Sequence, residues 1–153
     1  LNYFLESFRG TLFRQTMFAE FEQKAHEMAA AGESMTSQSL SNIYKKLNED
    51  YFGPDTVIDP EIQYEWERIP HFYTPFYVYQ YATGFSAAIA ISRKIFNGEL
   101  GILEGYKKFL SGGCSDTPIE LLKLAGVDMS HTGPVEEALK FFEELLNEFE
   151  ELA

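Results

Sequence analysis

The chain has 153 residues, of which 45% are hydrophobic and 16% aromatic, and this size and composition favour one packed globular domain. Its 24 acidic and 12 basic residues give a net charge of −12, which disfavours a nucleic acid partner because phosphate groups would be repelled. The single cysteine, Cys114, cannot form an internal disulfide, and no run of about 18 apolar residues could cross a membrane. We therefore predict a cytoplasmic protein without membrane segments.

The first predicted element is a long helix that ends before Gly32. Apolar residues recur from the first position at the spacing of a buried helical face: Leu1, Phe4, Leu5, Phe8 and Leu12. Glycine is a common residue just past a helix end. Because the stripe starts without a capping residue or an initiator methionine, we expect the chain to be part of a longer protein and the stripe to lack its natural partner.

The second predicted helix follows the hydroxyl-rich residues 34–37 and ends at Gly53-Pro54. Its apolar residues have helical spacing: Leu40, Ile43, Tyr44, Leu47 and Tyr51. The following stretch contains three prolines and lacks such spacing. We predict one long, irregular and extended connection over about residues 53–73.

Thr74 and Pro75 indicate the start of a third helix, because threonine is a good N-cap and proline suits the first helical position. We predict that this helix runs from Pro75 to Phe96. Three shorter patterns predict helices over 99–111, from 118 to about 126, and from 133 onward. The predicted buried seam of the last helix is Val135, Leu139, Phe142, Leu146, Phe149 and Leu152. With no convincing strand, the predicted class is all-α, as one helical domain over residues 1–153.

Histidines give no intact metal motif. The stretch from His26 to Ala30 matches the first half of the zinc motif HExxH, but Ala30 stands where the second histidine belongs. His131 has no histidine nearby in sequence. We therefore predict that His26 lies at the surface and that no metal ligands lie within this chain.

Residues 69–84, IPHFYTPFYVYQYATG, contain one histidine, four tyrosines and two phenylalanines. A helix starting at Pro75 would place Tyr77, Gln80 and Tyr81 on one side, with His71 and Tyr73 just before it. These rings could all be core, since tyrosine buries a large area and its hydroxyl is easily satisfied. Alternatively they present hydrogen-bond donors, because a phenol with a pKa near 10 keeps its proton at neutral pH and can bind a developing oxyanion.

Two stretches carry a resemblance to a known family. The runs LNYFLESFRGTLFRQTMFAEFE and PHFYTPFYVYQYATG resemble the C-terminal portion of oligoendopeptidase F, in the thimet-oligopeptidase-like group of zinc metallopeptidases. The resemblance covers nearly the whole chain. It implies an all-helical, zincin-like peptidase that cuts oligopeptides, with zinc held by an HExxH segment and a further glutamate. That segment would lie upstream of Leu1, so the resemblance implies zinc in the full-length protein, a catalytic part of the same protein as partner, and an inactive isolated chain.

The resemblance also implies roles for individual residues. In related enzymes, a histidine followed by tyrosines at a helix start binds the scissile carbonyl and stabilises the tetrahedral intermediate. His71 and Tyr77 match this histidine and the principal tyrosine, and are the implied catalytic residues. Tyr73, Tyr81 and Gln80 are the implied substrate-binding residues, with Tyr81 preferred over Gln80 and Tyr79 on helical phase.

Two further features have simpler explanations. Arg9 and Arg14 could hold a peptide carboxylate, but solvated arginines are the expected state on an acidic protein. The glutamates of the last helix are expected to form a solvated face. The alternative function is a non-catalytic helical interaction module, which would dock a partner helix through the stripe on residues 1–25 or through the C-terminal seam.

Overall fold

The computed structural model describes residues 1–152, and within that range it contains helices and no strand. The elements are α1 (Asn2–Ser7), a π-helical segment (Phe8–Phe13), α2 (Arg14–Ala30), α3 (Ser37–Phe52), 3₁₀ helices at Pro60–Arg68 and Pro70–Tyr73, α4 (Tyr79–Phe96), α5 (Ile102–Gly112), α6 (Pro118–Leu124) and α7 (Gly133–Leu152). The all-α prediction is confirmed. None of the helices in the described range is both long and apolar enough to cross a membrane.

The chain forms two compact units. The first contains Leu1–Leu12 and the residues from Thr83 onward, and the second contains Phe13–Ala82. All of the candidate site residues lie in the second unit. The single domain expected over residues 1–153 stays a prediction.

The second unit is built around α2 and α3. Its hydrophobic core cluster consists of Met17, Phe18, Phe21, Tyr44, Leu47, Ile69 and Val78. Local signals define the ends of α3: Thr36 and Ser39 form a reciprocal capping box, and Gly53 follows the helix with φ +75°. The predicted second helix is confirmed. It could be predicted from the sequence because its end signals act between neighbouring residues and need no tertiary contact.

The connection after α3 is more ordered than the sequence pattern predicts. Pro60–Arg68 is a 3₁₀ helix, and the Asp59 carboxylate caps it by accepting a hydrogen bond from the Glu61 amide over 3.0 Å. The indole N–H of Trp66 donates to the hydroxyl of the buried residue Ser41 over 3.1 Å. The prediction of extended chain is wrong here, because packing against α3 orders a segment that has no helical stripe of its own.

In the first unit, α1 and the start of the π-helical segment pack through aromatic rings. The Phe8 ring lies 5.2 Å from that of Phe142 and 4.9 Å from that of Phe85, and Phe4 lies 6.0 Å from Phe141. The expectation that the apolar stripe lacks a partner is therefore wrong for these residues, since α4 and α7 cover them. The pattern also gave no sign of the π-helical segment, in which each turn takes up more residues than an α-helical turn.

The face of α7 that packs differs from the predicted seam. Pro134, Ala138 and Leu145 are buried, whereas four residues of the seam are exposed: Leu139, Leu146, Phe149 and Leu152. Two adjacent apolar rows run along this helix, and helical spacing alone cannot tell which of them faces the protein.

Candidate functional site

The backbone before α4 makes an unusual turn. Thr74 is extended, with φ −119° and ψ 92°, as expected for a residue that precedes proline, and its N–H donates to the carbonyl of His71 over 3.0 Å. Phe76 then adopts a left-handed conformation with φ +58°. The helix begins at Tyr79, so the prediction that Thr74 and Pro75 start it is wrong: Thr74 ends the preceding 3₁₀ turn instead.

A buried carboxylate fixes this turn. The amide of Phe76 donates to the Glu22 carboxylate over 2.6 Å, and Glu22 is only 6% exposed. The Phe76 ring also contacts the His26 ring, one helical turn further along α2, with 4.7 Å between centroids. Two side chains of α2 therefore hold one residue of the turn.

Three rings meet beside this turn, and we call His71, Tyr77 and Tyr81 the ring cluster. The His71 and Tyr77 rings are nearly parallel, with centroids 5.7 Å apart and 7° between planes. Tyr81 stands edge-on to both, at 6.0 Å from His71 and 5.5 Å from Tyr77. The structure thus brings both implied catalytic residues and the preferred substrate-binding tyrosine into one group.

The polar ends of the two tyrosines also meet. The Tyr81 hydroxyl donates to the Tyr77 hydroxyl oxygen over 3.2 Å, and this hydrogen bond raises the pKa of Tyr81. In that arrangement the Tyr77 hydroxyl accepts one hydrogen bond and keeps its own proton for another acceptor. Tyr77 is 38% exposed and Tyr81 is 37% exposed, so an external ligand can reach both.

The other two candidates have different surroundings. The Gln80 side-chain amide donates to the backbone carbonyl of Tyr77 over 3.1 Å, which braces the backbone of the ring cluster. Tyr73 is 82% exposed and borders a separate pocket of about 250 Å³, whose walls include Phe21, Glu22 and Trp66. A role for either residue in substrate binding stays a prediction.

The alternative that all these rings are core is wrong for most of them. Phe72 packs against Phe18 and Phe21, with centroids 5.4 and 5.2 Å apart, and Val78 is fully buried. The histidine and the tyrosines of residues 69–84 are exposed instead. Core packing in this stretch therefore uses Phe72 and Val78, whereas Phe76 is exposed.

Sequence reasoning missed the buried carboxylate of Glu65. One of its oxygens accepts a hydrogen bond from Arg14 over 2.7 Å and another from Arg68, while the second oxygen accepts from the Tyr44 hydroxyl over 2.7 Å. Burial alone would raise the pKa of Glu65, but the hydrogen bonds from Arg14 and Tyr44 hold it below its usual value. Burial, followed by the bond to Glu65, raises the pKa of the Tyr44 hydroxyl well above its usual value.

This network corrects the expectation for Arg14. Arg14 is half-buried, pairs with Glu65 and lies over the Phe18 ring at 4.6 Å, so it is a structural residue rather than a solvated one. Arg9 is exposed and pairs with Glu6 over 2.6 Å, as expected for a surface arginine. A signal for the other missed carboxylate was present: Glu22 lies four residues after Phe18, on the apolar face of its helix.

The histidines outside the ring cluster do not form a metal site. His26 is exposed, as predicted, and the Nδ1 atom of His131 accepts a hydrogen bond from the Gly133 amide over 3.1 Å. Across residues 1–152, no group of three or more histidine, cysteine, aspartate or glutamate side chains is arranged to hold a metal ion. The residues of this range therefore do not form a complete zinc site by themselves.

Comparison with known proteins gives consistent matches. The profile of Peptidase family M3 matches residues 2–141. Oligopeptidase PepF of Bacillus subtilis (strain 168) is 55% identical over 152 residues, covering 99% of this chain and 23% of that protein. The chromosomal oligoendopeptidase F of Lactococcus lactis subsp. cremoris is 51% identical over 152 residues, covering 99% and 25%.

A solved structure agrees with these sequence matches. The crystal structure of oligoendopeptidase-F from Enterococcus faecium matches with a TM-score of 0.96 and 52% identity, over 99% of this chain and 29% of that one. The resemblance inferred from the two sequence runs is confirmed. The chain spans about a quarter of the length of the curated relatives it matches.

Proposed function

Because the chain belongs to peptidase family M3, we propose that the whole protein is a zinc metalloendopeptidase that hydrolyses oligopeptides, and that this chain supplies hydrogen-bond donors to the scissile group. The observation that carries the proposal is the convergence of His71, Tyr77 and Tyr81 at an exposed surface, with the Tyr77 proton available. Relatives named as oligopeptidases support the substrate class.

The donors act on the substrate oxygen. When water adds to a peptide carbonyl, negative charge develops on that oxygen, and a fixed donor stabilises the charge more than it stabilises the ground state. Tyr77 donates its hydroxyl proton to this oxygen as a hydrogen bond, and Tyr81 supports it by donating to the Tyr77 oxygen. The His71 ring lies parallel to that of Tyr77. His71 either donates a ring N–H hydrogen bond to the same oxygen or orients the substrate. Tyr73 and Gln80 belong to the proposal as substrate-binding residues.

Zinc, when bound to the whole protein, would polarise the water that attacks the carbonyl. Residues 1–152 contain no group of three or more possible metal ligands. We therefore place the zinc ligands in another part of the same protein, which acts as the catalytic partner of this chain. A cytoplasmic location is part of the same proposal, because the one cysteine is free and exposed.

The interaction-module alternative is less well supported. The stripe that would dock a partner helix is partly used within the chain, because Phe4 and Phe8 pack on the rings of α7. The relatives that the chain matches are named as peptidases. The exposed apolar row of α7 by itself identifies no partner.

Cleavage of a quenched fluorogenic oligopeptide tests the proposal. The whole protein should cleave it, lose activity with a chelator and regain it with added zinc. The 153-residue chain alone should show no zinc-dependent cleavage. Activity that survives exhaustive chelation would refute the metal requirement, and cleavage by the chain alone would refute the assignment of water activation to another part.

A further inference from the structure

We propose that Glu22 is a positioning residue: its buried carboxylate holds Phe76 in a left-handed conformation and so fixes Tyr77 beside His71. The catalytic meaning of this claim rests on the proposed function. The positional part does not, because it concerns only how the ring cluster is assembled.

Phe76 is in a conformation that it would not adopt alone. Among the described residues 1–152, it is the one residue other than glycine with positive φ. In the left-handed region the Cβ atom approaches the backbone, so a bulky residue stays there only when its surroundings hold it. Some contact around Phe76 must therefore outweigh this strain.

Glu22 provides that contact. The Phe76 N–H donates to the Glu22 side-chain carboxyl group over 2.6 Å, which is a short hydrogen bond. The anchor is rigid, because Glu22 is buried between turns of α2 that carry the core residues Phe18 and Phe21. The ring contact between Phe76 and His26 supports the same residue from the side-chain end.

The anchor acts on the site through the next residue. Tyr77 lies between Phe76, which Glu22 holds, and Val78, which is 1% exposed in the core. With both neighbours fixed, the Tyr77 backbone has one position, and its ring lies parallel to His71 at 5.7 Å. Without the carboxylate, Phe76 can relax to negative φ, which would redirect the chain at Tyr77.

The test uses the whole protein with a Glu22→Ala variant and a Glu20→Ala control. Glu20 is a matched control, because it lies on the same helix and its carboxylate accepts a hydrogen bond from the Tyr51 hydroxyl over 2.9 Å, away from the turn. The positional readout is the NMR resonance of the carbon-bound protons of the His71 ring. Stacking on the Tyr77 ring shifts this resonance, and a His71→Asn variant assigns it. The kinetic readouts are kcat and KM.

Glu22→Ala should move the His71 resonance and lower kcat by about tenfold to a hundredfold, because small misplacements of reacting groups are costly. Glu20→Ala should leave the resonance in place. Adding Phe76→Gly to Glu22→Ala should restore the resonance in part, because glycine adopts positive φ without strain. Phe76→Gly alone should keep the resonance of the parent.

An unmoved His71 resonance in Glu22→Ala, or an equal movement in Glu20→Ala, would overturn the positioning role. These outcomes are separate from the proposed function. If Tyr77→Phe keeps the full kcat while Glu22→Ala moves the His71 resonance, the proposed catalytic role fails and the positioning role stands.

Discussion

The buried carboxylate of Glu65 accepts a hydrogen bond of 2.7 Å from the Tyr44 hydroxyl in α3. It also accepts a hydrogen bond from Arg14, which lies in α2. One carboxylate thus joins the 3₁₀ helix Pro60–Arg68 to both α2 and α3. This segment leads directly into Pro70–Tyr73, which carries His71. The network therefore supports the backbone from which the ring cluster is built.

We predict that Glu65→Ala lowers the free energy of unfolding by about 3–5 kcal/mol, because it leaves a half-buried arginine and a buried tyrosine hydroxyl without their acceptor. Chemical denaturation of the variant and the parent measures the loss. Glu61→Ala is the control, since Glu61 is exposed in the same 3₁₀ helix. A loss no larger than that of the control would show that Glu65 does not anchor the segment.

Tyr51 gives a prediction for alkaline pH. Burial, followed by the hydrogen bond to Glu20, raises the pKa of Tyr51 to about 12, above the usual value of about 10 in an unfolded chain. The folded state thus holds this proton more tightly. The contribution of this pKa difference to the free energy of unfolding is complete below a pH of about 10 and is lost as the pH rises towards 12. The free energy of unfolding should fall less steeply over this interval in Tyr51→Phe. Tyr3→Phe, at an exposed position, should keep the parent slope.

Gly105 gives a prediction for packing in the first unit. A Cβ atom at this position would lie 1.9 Å from the backbone carbonyl oxygen of Leu124, so α5 and α6 would have to move apart. Gly105→Ala should therefore lower the free energy of unfolding by about 1–3 kcal/mol or more. Gly84→Ala is the control: nothing lies within 4 Å of its Cβ position in α4, so alanine should be neutral or stabilising by up to about 1 kcal/mol. Equal thermal stability of the two variants would contradict the close approach.

Tyr77→Phe tests the donor role in the whole protein. Removal of the hydroxyl should lower kcat by about a hundredfold with little change in KM, because the lost hydrogen bond forms mainly in the transition state. Tyr79→Phe is the control, since Tyr79 is an exposed tyrosine outside the ring cluster. Steady-state kinetics on one oligopeptide give both constants. An unchanged kcat in Tyr77→Phe would remove this residue from the mechanism.

Local signals predicted most of the helices. Thr36 and Thr117 cap α3 and α6 through side-chain hydrogen bonds, and Gly32, Gly53 and Gly126 follow helices with positive φ. These signals act over a few residues, so they can be read without knowledge of the fold. The grouping of Tyr77 with Tyr81 was also predicted, although the helix begins later than expected.

The errors occur where distant residues decide the backbone. Thr74-Pro75 has the sequence of a helix start, but the Phe76 amide donates to the Glu22 carboxylate, 54 residues earlier in the chain, and the helix begins at Tyr79. In the same way, Glu65 and Trp66 order a proline-containing segment by contacts with α2 and α3.

The sequence by itself determined the helical class, most helix ends and the family resemblance. Spacing and capping fix the class and the helix ends because they depend on neighbours within one or two helical turns. Only the tertiary structure decided that the tyrosines of this stretch are exposed, that Arg14 is structural, and that Phe76 takes positive φ. The last two depend on contacts between residues far apart in the chain, Arg14 with Glu65 and Phe76 with Glu22, and the energy of such a contact overrides local preference.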